Sequence, residues 1–177
     1  MGVLTDFFAA TPDELDAMAI EWGPMPPPPE PPRAKGGFLG FGKKPVVVDG
    51  PLEPLGPTLP AVRSKGILNT QLGTLDQFVT GTPYEELEDM GAIDAIARDG
   101  GDDGPWVFPL RRELRDALAS LPEGRVRDIA QQWGEDEEIG ATDAEDFAAL
   151  RDLVADLTGL ARTAVETGRD LFLWASL

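Results

Sequence analysis

"AEDFAALRDLVADLTGLARTAVETGRDLFLWASL", Ala144 to Leu177, decides the fold class. Phe147, Leu150, Val154, Leu157, Ala161 and Ala164 are separated by steps of 3, 4, 3, 4 and 3, and Leu153 and Leu160 widen the stripe. That period places one apolar face along a long helix. The pattern covers barely two and a half heptads, which suits a core helix of a bundle better than a coiled-coil seam. Gly168 stands where a helix stops in the left-handed conformation. "LFLWASL", Leu171 to Leu177, then reads as a buried C-terminal strand, since an apolar tail left unpaired would invite aggregation. A long helix running into a terminal strand predicts an α+β domain dominated by helices.

Upstream, "WVFPL" (Trp106 to Leu110) reads as a strand leading into a helix with Leu110, Leu114, Ala117, Leu118 and Leu121 at helical spacing. "GRVRDIAQQW" predicts a further helix presenting Val126, Ile129, Ala130 and Trp133. Shorter helices are expected from about Thr74 to Gly81 and over "PYEELEDM". Near the start, Val3 to Ala10 reads as a strand, followed by a helix with Leu15, Met18, Ala19 and Trp22 on one stripe. Three helix starts carry Thr-x-x-Glu: Thr11 to Glu14, Thr82 to Glu85 and Thr142 to Glu145. In each, a hydroxyl and a carboxylate can cap backbone N–H groups reciprocally. The expected sheet is small, built from the N-terminal strand, 106–110 and the C-terminal strand.

Between Gly23 and Pro60 the composition changes to proline and glycine. This segment reads as a flexible loop or linker that divides the chain into 1–22 (strand and helix of the body), 23–60, and 61–177 (the main helical body). Val46 to Val48 is a candidate short edge strand within it. "GFLGFGKK", Gly37 to Lys44, matches the spacing of a phosphate-binding loop but lacks the preceding strand, the following helix and the hydroxyl after the lysine. A glycine-rich flexible loop carrying Phe38 and Phe41 is the better reading, and these two aromatics are candidates to grip a partner.

The 177 residues include neither cysteine nor histidine. Disulfides, thiolate nucleophiles, Cys/His zinc sites and every histidine-based catalytic arrangement are therefore excluded. No cofactor is expected. A formal charge of −17 opposes binding to nucleic acid or to an anionic membrane. The N-terminus carries Asp6 where a signal peptide needs bases, so a cytoplasmic location is expected. The composition resembles that of GC-rich bacterial genes.

"DGGDDG", Asp99 to Gly104, imitates the start of a calcium loop but has Gly101 and Leu110 where ligands belong. "QWGEDEEIGATDAED", Gln132 to Asp146, places seven carboxylates behind one tryptophan with no base among them. Asp143, Glu145 and Asp146 suit the first turn of the last long helix. Glu135, Asp136, Glu137 and Glu138 are consecutive, so their side chains diverge instead of converging on one ion. They are the candidate contact residues, together with Phe38 and Phe41. The expected function is binding another protein, with the charge fitting an inhibitor or immunity-type partner of a basic protein. Two other readings compete. One is a subunit of a larger assembly in which 23–60 orders against neighbours. The other is a hydrolase or transferase working with carboxylates alone. Oligomeric state is not legible.

Overall fold

A computed structural model describes residues 4–26, 58–102 and 104–177. These form an α+β arrangement of six helices and one antiparallel sheet. In chain order the elements are β1 (Leu4–Ala10), α1 (Pro12–Ala17), β2 (Ala61–Lys65), α2 (Asn69–Thr80), α3 (Tyr84–Asp89), β3 (Arg98–Asp99), β4 (Trp106–Pro109), α4 (Arg112–Ala119), α5 (Glu123–Glu135), α6 (Ala144–Thr167) and β5 (Asp170–Ser176). The sheet order is β2-β1-β5-β4-β3. The two terminal strands lie side by side at its centre, paired from Leu4↔Ser176 to Ala10↔Asp170.

Both faces of β1 and β5 are covered, which is why these strands read as nearly unbroken apolar runs. Phe7, Ala9, Leu171 and Leu173 join the larger core beneath α2, α4, α5 and α6. Phe8, Ala10, Phe172 and Trp174 point the other way, against Leu15, Met18 and Leu59. The Phe8 and Phe172 rings stack with centroids 5.4 Å apart. On that second side the cover is thin. Trp174 Nε1 donates to the Ile20 carbonyl at 2.7 Å, and Leu59 N–H donates to the Pro24 carbonyl at 3.0 Å. The described ends of the proline-rich segment thus lie on the sheet. Phe38, Phe41, the Gly37–Lys44 stretch and Val46–Val48 fall outside the described residues.

Several local expectations are corrected. α1 stops at Ala17, and Trp22 is 51 % exposed instead of sharing a stripe with Leu15 and Met18. The reason lies in Arg98, whose Nη1 takes the carbonyls of Leu15 and Met18 that another helical turn would have used. The capping box at Thr11 and Glu14 forms. At α3 it does not: the Tyr84 N–H is met by Gln77 Oε1 at 2.7 Å, and Pro83 is the cap. At α6 the device moves one residue. Asp143 caps Glu145 N and Asp146 N, and the Asp146 carboxylate, not Glu145, reaches back to Thr142 N. α2 begins at Asn69, five residues before the expected start, with Gln71 Oε1 accepting from Leu68 N.

The stripe of α6 is buried as its period requires, with Val154, Leu157, Ala161 and Ala164 fully inaccessible. α5 presses against it at Gly134, where a methyl group would meet Phe147 at 2.5 Å. Among the described residues no helix is long and apolar enough to cross a membrane.

Candidate functional site

The four consecutive acids fall at the end of α5 and in the turn that follows. Glu135 closes the helix and accepts from Gln131 Nε2 at 2.6 Å. Asp136 is the C-cap, and its Oδ1 accepts from the Glu138 N–H at 3.0 Å. Its carbonyl takes the N–H groups of Ile139 and Gly140, which closes the turn tightly. Glu135, Glu137 and Glu138 are exposed, and Asp136 is half-buried. Among the described residues no ion pair reaches any of the four, and no three carboxylates gather to hold a metal ion.

Three hydrogen bonds fasten the end of α5 and this turn to α2. Trp133 is fully buried, and its Nε1 donates to the Gln71 carbonyl at 2.9 Å and to Thr74 Oγ1 at 3.1 Å. Gln71 Nε2 in turn donates to the Glu138 carbonyl at 3.3 Å. α3 reaches α2 at Gly73. A methyl group there would meet the Tyr84 ring at 2.8 Å and Ile93 at 3.0 Å, so glycine is what lets the ring lie on the helix.

Acids carried by both neighbours of α2 act on the single tyrosine. Burial pushes the Tyr84 hydroxyl above its ordinary pKa, and the negative charges of Glu88, Glu138, Asp94 and Asp136 push it further the same way. Charges from three separate chain segments therefore act on one ring. Glu85, Glu86 and Asp89 are exposed on α3 beside them. The sequence signal for this surface is a pair of stretches without bases. Residues 66–97 hold six acids and no lysine or arginine, and residues 128–150 hold eight acids and none. Attention to the second stretch alone missed Tyr84 and the acids of the first. Only the packing of α3 and α5 on α2 joins them.

Elsewhere, two carboxyl groups are held above their ordinary range, in each case chiefly by burial: Asp6 on β1 and Asp76 on α2. Asp6 faces the thin side of the sheet and ion-pairs with Arg63 at 3.4 Å, whereas Asp76 belongs to the helical side. They do not converge. Asp76 accepts from Thr80 Oγ1 at 2.9 Å and lies 3.7 Å from Arg111 Nε. Beside Asp76 and Arg111 a space of about 20 Å³ opens, room for a single water. Asp99 accepts from the Gly101 N–H within a turn that joins β3 to β4, so the "DGGDDG" stretch serves a hairpin.

Fold and surface together define an α+β protein whose acidic face is assembled on α2 by α3 and by the α5–α6 turn. No family model, curated protein or solved structure matches the chain.

Proposed function

We propose that this protein acts by binding a basic protein through the acidic face around Tyr84, as an inhibitor or immunity-type partner in the cytoplasm. The reading rests on two acidic stretches without a base, 66–97 and 128–150, which the packing of α3 and α5 on α2 brings together, and on the negative charges of Glu88, Glu138, Asp94 and Asp136, which add to burial in raising the Tyr84 hydroxyl. A field of one sign accelerates encounter with a partner of the opposite sign. A partly exposed tyrosine within reach of that field supplies rigid contact area and a hydroxyl, the combination common at the hot spots of interfaces. The turn bearing Glu135 to Glu138 is anchored through Trp133 and Gln71, so presenting its charges costs little ordering on binding.

The test is capture of the partner on the immobilised protein at low ionic strength. The same capture is then repeated with Glu135→Gln, Asp136→Asn, Glu137→Gln and Glu138→Gln combined. The reading requires a basic protein that is retained by the native chain and released by the variant. Equal retention by both would refute it.

A further inference from the structure

We infer that one water molecule is bound between Asp76 and Arg111, where it forms the bridge that braces α2 on the start of α4. The site lies inside the fold, and no partner is needed to fill it. Asp76 belongs to α2, Arg111 caps the N-terminus of α4, and both line a cavity of about 20 Å³. That volume holds one water and nothing larger.

Two groups of opposite charge stand close here without touching. Arg111 Nε is 3.7 Å from Asp76 Oδ2, beyond the length of a hydrogen bond. Each side chain is held back by another partner: Asp76 Oδ1 accepts from Thr80 Oγ1 at 2.9 Å, and Arg111 Nε donates to Glu113 Oε2 at 3.4 Å. Asp76 is buried, and Arg111 Nη1 is buried with no acceptor among the described residues. A guanidinium N–H left dry gives up its hydration with nothing in exchange. A water between the two groups accepts from Nη1 and donates to Oδ2, which satisfies both at once.

The chemistry selects a neutral molecule. An anion would face the Asp76 carboxylate and a cation the Arg111 guanidinium, whereas water turns a lone pair to one and a hydrogen to the other. Its second hydrogen has a partner in Asn69, which lines the same cavity. Asn69 Nδ2 donates to the Ile93 carbonyl at 3.1 Å, which leaves Oδ1 as an acceptor. Gly73, where the Tyr84 ring rests, and Leu87 of α3 also line the cavity. The bound water therefore lies where α3 is seated and steadies the helix on which the acidic face is built.

The test is water–protein cross-relaxation NMR on the isotope-labelled full chain. The methyl groups of Leu72, Ile93 and Leu114, which line the cavity, should give cross-peaks to water with the sign of a long-lived bound molecule. Asp76→Asn keeps an acceptor and should retain them. Asp76→Leu combined with Arg111→Met replaces both polar groups with apolar ones of similar volume and should lose them. Thr80 keeps its hydroxyl in every variant, so exchange through that group cannot account for the loss. Absence of the cross-peaks from the native chain, or their survival in the double variant, overturns the site. Should the double variant not fold, a crystal structure of the native chain decides. One ordered solvent peak within about 3.2 Å of both Arg111 Nη1 and Asp76 Oδ2 bears the site out. Direct contact between the two side chains, or no such peak, overturns it.

Discussion

The indole nitrogen of Trp133 donates to the carbonyl of Gln71 across 62 residues of chain, at 2.9 Å. Through that contact the last turn of α5 is fixed to the first turn of α2, and the acids that follow are placed beside Tyr84. Trp133→Phe keeps most of the buried ring and removes the donor. A loss of about 1–2 kcal/mol is expected, measured by urea unfolding, with unchanged steepness of the transition. The Glu138 amide should also exchange faster with solvent.

Glycines on the long helices serve opposite purposes, and alanine separates them. At Gly134 a methyl group meets Phe147 and Leu150, so Gly134→Ala should cost about 1–3 kcal/mol despite the better helix propensity. At Gly159, inside α6, a methyl group meets nothing within 4 Å, and Gly159→Ala should stabilise by about 0.5–1 kcal/mol. Thermal unfolding of the two variants should shift in opposite directions.

The start of β5 is tied to α1 by Arg169, which grips both carboxylate oxygens of Glu14 at 2.7 and 2.8 Å. Arg169 is the first cause that holds the Glu14 carboxyl down to about 2, with the Thr11 N–H second. A folded pKa below the unfolded value means stability that is present above about pH 4.5 and lost as pH falls toward 2. Both side chains are partly exposed, so solvent screening limits the effect to about 1 kcal/mol. Stability of the native chain minus that of Glu14→Gln, followed from neutral to acidic pH, should shrink through this window.

The electrostatics around Tyr84 can be read from its own titration. The hydroxyl should ionise above the usual tyrosine range, and Asp136→Asn combined with Glu138→Gln should bring it down. Added salt should act in the same direction on the native chain, since screening weakens exposed charges. Ultraviolet absorbance of the phenolate follows both; identical curves for native and variant would show that the α5–α6 turn does not reach the ring's field.

Where one segment carries its own signal, the sequence was legible. The period of Phe147 to Ala164 revealed α6, and the apolar runs Phe7–Ala10 of β1 and Leu171–Ala175 of β5 reflected burial on both faces. Val126, Ile129, Ala130 and Trp133 are buried on α5 as their spacing required. β2 and β3 were missed because "AVRSK" and a two-residue strand have no apolar pattern; pairing with β1 and β4 alone makes them strands. The end of α1 was misplaced because Arg98, 80 residues from Met18 in sequence, decides it. The acidic face was half visible for the same reason. Glu135 to Glu138 stand out as a run, whereas the contribution of α3 depends on Gly73 admitting Tyr84 onto α2, a tertiary contact that no local spacing records.

The central claim is that an oriented acidic face recruits a basic partner. Its most direct test is the association rate of the captured partner with the native chain and with the Glu135–Glu138 neutralised variant, across increasing salt. The association rate of the native chain should fall steeply with ionic strength and converge on a slow, nearly salt-independent rate for the variant. A native rate insensitive to salt, or a variant that associates as fast as the native chain, would contradict it.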